Sequence, residues 1–184
     1  VAVAAYQLRK PVSLVLDRDV DMQITGHRHP FRGDWKAAFD LTSKKIIALD
    51  VKLYNNAGNS LDLSASVLDR GLLHVDSAYN IPNLRAVGYC CKTNLPSNTA
   101  FRGFGGPQGI MIGEAVVDDV ARSMNLAPDS VRENHLYNEG DTTHFGMKLI
   151  DCQVRPCWEE LKNKSNATFN ERRERVETFN KMNK

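Results

Sequence analysis

An α+β fold with a mixed sheet and helices is what this sequence predicts. Four short β-rich runs are spread along the chain, and two apolar runs keep helical spacing between and behind them. A length of 184 residues is about that of one domain.

The elements follow in order. Residues 1–9 read as the tail of a helix, which Pro11 breaks. Residues 12–16 read as a buried strand, bounded by the acidic run from Asp17 to Asp21. Further β regions are expected at 35–40 and, after the Ser43-Lys44-Lys45 turn, at 46–54. Residues 55–59 have the composition of a loop. A helix carrying Leu63, Val67, Leu68 and Leu72 is expected over 61–74, and a connection over 79–82. Residues 87–91 read as the strand that delivers a glycine-rich segment.

Pro107 suits a first helical position, and Ile110, Met111, Ile112, Val116, Val117 and Val120 keep helical spacing behind it. Glu114, Asp118 and Arg122 recur every four residues on another face, so an Asp118–Arg122 pair is expected. A helix opens at Pro128 and runs to about Tyr137, with Gly140 ending it. Another starts at 156–162. From Thr168 a charged helix is expected whose apolar stripe is only Phe169, Val176 and Phe179.

The bulk numbers exclude several classes. Apolar residues are 42% and charged residues 25%, ordinary for a globular domain. A formal charge of +2 does not argue for nucleic acid or a membrane surface as partner. No apolar run approaches the roughly 20 residues of a membrane helix. The start lacks both a basic n-region and an initiator Met, so the chain reads as a fragment of something longer. Cys90, Cys91, Cys152 and Cys157 fit neither a disulfide framework nor CxxC metal spacing, and read as free thiols. The sequons at Asn163 and Asn166 are discounted because no secretory signal accompanies them.

The chemistry concentrates between Thr93 and Gly109. A polar turn leads to Arg102 framed by Phe101 and Phe104, then to Gly105-Gly106-Pro107 opening a helix. Glycines there let a ligand approach the backbone, and the helix end offers N–H groups to an anion. The aromatic rings suit a planar ligand. The run is not a nucleotide loop: it fails G-x-G-x-x-G/A at its last position, and no Walker lysine follows. A tight turn before a helix is the plainer reading. His27 and His29 would share one face of a strand, but no third metal ligand is near. Hydrogen-bonded or surface histidines are favoured, for these and for His74, His135 and His144. Arg70 sits among apolar residues, and an ion pair with Asp69 or Asp76 would explain it.

The run from Cys91 to Gly109 closely resembles the molybdenum-cofactor domain of eukaryotic xanthine dehydrogenase/oxidase, of the molybdenum hydroxylase family. Further blocks continue the likeness in family order. They include Leu16-Asp17-Arg18-Asp19, Arg28-His29-Pro30-Phe31, Asn55-Asn56-Ala57-Gly58 and Cys157-Trp158-Glu159-Glu160. The resemblance implies a partial molybdopterin-binding domain covering residues 1–184. It implies hydroxylation of hypoxanthine and xanthine to urate at a molybdenum–molybdopterin centre. Electrons would pass through two 2Fe-2S clusters and FAD to NAD or oxygen. The family also implies a homodimer and a cytoplasmic or peroxisomal location.

Residue by residue, the resemblance makes Arg70 the catalytic and substrate-binding arginine that holds a purine carbonyl. It makes Phe104 the ring that packs on the purine. Arg102 matches a residue at the molybdenum centre, as a neighbour of the metal and not a side-chain ligand, and Ala100 and Phe101 line the same cofactor pocket. Arginine at 70 and glycine at 106 favour xanthine dehydrogenase over its relative aldehyde oxidase. A non-catalytic interaction fragment is the alternative from another class. Val20, His27 and Gly71 depart from the family pattern, and Gly71 is expected to loosen the helix bearing Arg70. The substrate glutamate is expected before Val1, and the second stacking phenylalanine and general-base glutamate after Lys184. The iron–sulfur and FAD domains have no counterpart in these residues.

Overall fold

The computed structural model describes residues 1–183, and of residues 165–167 and 169 only the backbone path. Two short helices, α1 (Ala2–Leu8) and α2 (Arg18–Ile24), precede strands β1 (Phe31–Asp40) and β2 (Lys45–Gly58). Helix α3 (Ser64–Leu73) crosses to strand β3 (Leu84–Lys92). Helices α4 (Gly106–Ser123), α5 (Pro128–His135) and α6 (Val154–Met182) complete the order.

β2 is the middle strand of a mixed sheet ordered β1-β2-β3. It pairs antiparallel with β1, Val51 facing Trp35, and parallel with β3, Val51 facing Ala86. The parallel pair requires the α3 crossover. Along β2, Leu49, Val51, Leu53, Asn55 and Ala57 are buried at every second position, the signature of a strand with one covered face. Val67 and Leu68 of α3, Val116, Val117 and Val120 of α4, and Val131 of α5 cover that face. The expected α+β architecture with a mixed sheet is therefore present.

Several expectations are corrected. Residues 12–16 form no strand; Leu14 is 65% and Val15 90% exposed. Their apolar run finds no strand to pair with among the described residues. Of the expected loop at 55–59, residues 55–58 are instead the end of β2. There Asn55 Nδ2 donates to Ser64 O, and Asn98 Nδ2 donates to Asn56 O. These side-chain amides tie the strand end to its neighbours, so its loop-like composition serves pairing. The Asp118–Arg122 pair does not form: Arg122 meets Asp119 at 3.0 Å, while Asp118 is taken by Arg132 of α5 at 2.7 Å. α5 stops at His135, before Gly140, which takes a φ of +81° in the next turn.

The two expected C-terminal helical pieces are one helix of 29 residues. Val154 and Trp158 pack it against the core, and Lys162–Glu133 and Arg173–Asp129 pairs join it to α5. Of its expected apolar stripe, Val176 and Phe179 are exposed; the side chains of Phe169 and of residues 165–167, within the two sequons, lie outside what the structure describes. The four cysteines are free thiols. Among the described residues no helix is long and apolar enough to cross a membrane, and no three His, Cys, Asp or Glu side chains gather as a metal site.

Candidate functional site

The glycine-rich segment meets α3 through a stripe of glycines spaced by four. A Cβ on Gly105 would lie 1.9 Å from Val67 O, one on Gly109 2.2 Å from Gly71 O, and one on Gly113 2.2 Å from Val75 O. Each four-residue step along α4 thus matches a four-residue step along α3 and the chain just past it. Only glycine allows backbones this close, with Cα–H groups facing carbonyl oxygens. The four-residue spacing stands in the sequence, but it is overshadowed there by the reading of these glycines as an anion cradle.

Part of the N–H set of that cradle is used within the protein. Gly105 and Gly106 are buried against α3, the Gly106 N–H donates to Gly103 O, and Pro107 has no N–H. The glycines serve helix contact. The contact also sets the candidate residues side by side. Arg70 precedes Gly71, and Phe104 precedes Gly105; a Cβ on Gly71 would lie 3.4 Å from Gly105 O. Residues 34 positions apart in the chain are thereby brought to adjoining backbone positions.

Phe104 leaves the turn in a left-handed conformation, φ +51°, between Gly103 at +96° and Gly105 at +94°. For an aromatic residue this costs on the order of 1–3 kcal/mol. The Phe104 N–H donates to Phe101 O at 2.7 Å and closes the turn. Phe101 and Phe104 are partly buried, and Arg102 between them is exposed. Arg102, Phe101 and Ala100 line a cleft of about 640 Å³ with Arg18, Asp21, Met22, Thr25, Gly26 and Thr99.

Arg70 is exposed in the last turn of α3. Its anticipated ion pair is absent among the described residues: Asp76 accepts instead from Tyr137 Oη at 2.7 Å and lies 3.0 Å from His144 Nδ1. Arg102 likewise has no acidic partner among the described residues. The Arg70 carbonyl accepts from His74 Nδ1, whose ring lies 3.7 Å from where a Gly106 Cβ would be. Gly71, the anticipated weak point, is closely packed, because a methyl group there would come within 2.8 Å of the Phe31 ring.

The segment before β1 brings further residues to the turn. His27 and His29 lie outside any strand; the first is exposed and bonds Met22 O, the second is buried and bonds Ser64 Oγ at 2.7 Å. Burial pushes the His29 imidazolium pKa down. Thr99 Oγ1 donates to Asp62 at 2.6 Å, which with the Leu63 N–H holds that carboxyl below its usual range. Arg28 packs its guanidinium over the Phe101 ring at 4.7 Å. Neither Arg28 Nη1 nor Gln108 Oε1 has a hydrogen-bond partner in the protein, although both are buried.

Comparison with known proteins places this geometry. The model of the molybdopterin cofactor-binding domain matches residues 1–136. Xanthine dehydrogenase/oxidase of Gallus gallus is 53% identical over 184 residues, which are 100% of this chain and 13% of that protein. Xanthine dehydrogenase 1 of Arabidopsis thaliana is 49% identical over 183 residues, with the same 100% and 13% shares. Among solved structures, the aldehyde oxidoreductase from Desulfovibrio gigas superposes with a TM-score of 0.79 at 28% identity, over 92% of this chain and 19% of that one. Quinoline 2-oxidoreductase from Pseudomonas putida 86 shares the fold, with a TM-score of 0.76 at 21% identity over 96% of this chain and 23% of that one. The chain thus spans about 13% of the length of the xanthine dehydrogenase relatives it matches.

Proposed function

The chain belongs to the molybdopterin cofactor-binding domain family, and from that premise we propose that residues 1–184 are part of the molybdenum-cofactor domain of a xanthine dehydrogenase/oxidase. In this reading the complete enzyme is an oxidoreductase that hydroxylates hypoxanthine and xanthine to urate. FAD, two 2Fe-2S clusters, NAD or oxygen as acceptor, a homodimer and a cytoplasmic or peroxisomal location belong to the same proposal. The carrying observation is the glycine stripe that seats α3 on α4, because it brings Arg70 beside the Phe104 turn.

The residues present fit the cofactor. Arg28, Arg70 and Arg102 surround the turn without an acidic partner among the described residues, which suits an anionic ligand. The cleft at Ala100, Phe101 and Arg102 offers a flat aromatic wall to a pterin. When bound, the molybdenum centre supplies the oxygen and accepts the electrons. This chain's part is orientation and charge. Phe104, held out by its left-handed backbone, packs on the purine ring. Arg70 donates to the distant purine carbonyl and stabilises the negative charge that grows there during attack; having no carboxylate partner, its charge is unspent.

The test is kinetic, in the full-length enzyme. Arg70→Met is expected to lower kcat/KM for xanthine about a hundredfold, from loss of about 3 kcal/mol of transition-state stabilisation. A simple aldehyde, which has no such carbonyl, is expected to lose little. Phe104→Ala is expected to weaken both substrates, since it removes ring packing. Equal losses for xanthine and aldehyde in the Arg70 variant would make Arg70 structural. A wild-type enzyme that turns over aldehydes but not xanthine would favour the aldehyde oxidase alternative.

A further inference from the structure

Arg28 is half-buried, yet it makes neither an ion pair nor a hydrogen bond among the described residues. A buried N–H left without an acceptor costs on the order of 1–3 kcal/mol, so such groups call for an explanation. The usual structural reason for a half-buried arginine is a carboxylate or a carbonyl to bind, and Arg28 has neither. Its one specific contact is the Phe101 ring, with the guanidinium carbon 4.7 Å from the ring centre.

The backbone on both sides of Arg28 is fixed to the glycine-rich segment. His27 O accepts from the Thr99 N–H at 3.1 Å, and His29 O accepts from Gln108 Nε2 at 3.0 Å. Arg28 therefore stands between two anchors, one on each side of the Ala100–Gly106 turn. Its Nη1 lies 3.4 Å from where a Gly103 Cβ would be, an ordinary contact distance, so the guanidinium lies directly against the turn at Gly103. The cation faces Phe101, the aromatic residue that lines the cleft.

We infer that Arg28 is a positioning residue of the cofactor site, acting through Phe101. It holds the ring by cation–π attraction and keeps an unneutralised positive charge beneath the wall that an anionic pterin would meet. The inference rests on the molybdopterin reading above.

The test uses the full-length enzyme, with Arg28→Met and Arg28→Lys beside wild type. Molybdopterin retained per protomer is measured by fluorescence of its oxidised form during prolonged dialysis. Loss from Arg28→Met is expected to be about tenfold faster, with Arg28→Lys in between because it restores the charge. Retention equal to wild type in Arg28→Met, or a Lys variant as poor as the Met variant, overturns the inference. So does a lowered melting temperature of the cofactor-free Arg28→Met protein, which would make the role structural. A wild-type enzyme carrying no molybdopterin would instead defeat the underlying reading, so the two failures are distinguishable.

Discussion

At Phe104 a single residue carries a backbone conformation that favours glycine, and carries it between two glycines that adopt the same hand. Replacing it with glycine would relax the backbone and delete the ring, so the strain is the cost of displaying an aromatic side chain at the end of a tight turn. His135 shows another single-residue arrangement. Its Nδ1–H donates to Val131 O at 2.6 Å, leaving Nε2 to accept from the Ile46 N–H at 2.8 Å. Burial lowers its pKa from the ordinary 6.5. The sign follows: above pH 6.5 both folded and unfolded forms are neutral, and below it the unfolded chain takes up the proton more readily. This contribution to stability is therefore present above about 6.5 and is lost as pH falls toward the folded value. Protonation of Nε2 also removes the acceptor for Ile46. Hydrogen exchange, corrected for intrinsic rates, should show Ile46 losing protection as pH falls below about 6.5, relative to Leu49, whose N–H donates to Asn83 O. A constant ratio across that range would refute it.

At the scale of elements, the packing of α3 on α4 decides the site. The carbonyls of Val67, Gly71 and Val75 are backbone atoms and cannot rotate away from a new methyl group. Gly109→Ala gains about 1 kcal/mol of helix propensity but overpacks at a cost near 3 kcal/mol, so a net loss of about 2 kcal/mol is expected. Gly106→Ala, whose Cβ would meet only the His74 ring at 3.7 Å, should be close to neutral. Chemical denaturation of both variants in the full-length protein checks this contrast; equal effects at 106 and 109 would remove the steric argument. Because Arg70 and Phe104 ride on this contact, Gly109→Ala should also weaken xanthine turnover without touching either side chain.

The whole molecule leaves large apolar side chains in solvent, among them Val3, Tyr6, Val15, Met111 and Phe179. α1 and α2 bury no residue of their own. Under the proposed function, these surfaces face parts of an enzyme of which this chain spans about 13%. The 184 residues produced alone are therefore expected to hold no molybdenum and to be inactive on purines, because under that proposal much of the cofactor's binding surface and the general base would be supplied by other parts of the enzyme. Metal analysis and a urate assay on the purified chain decide the matter. Stoichiometric molybdenum with turnover would show that the chain is a sufficient catalytic unit.

The sequence by itself determined the β run at 46–54, which the fold makes the middle strand, and the long apolar face of α4 behind Pro107. Local periodicity suffices there because each element buries one face. It also singled out the residues of the Ala100–Gly106 turn, whose composition marks a close approach of some kind. What approaches was decided by tertiary structure. The glycines meet the backbone of α3, Asp118 pairs with Arg132 and not Arg122, and residues 13–16 stay exposed despite their apolar run. Arg28 stands in a family block, but its role had no signal in the chain, because its partner Phe101 is 73 residues away and its lack of an acceptor is a property of the folded neighbourhood. Periodicity records which face of an element is apolar. Partner choice depends on which backbones the fold can bring within a few ångströms, and that is set only when α3 closes on the glycine stripe.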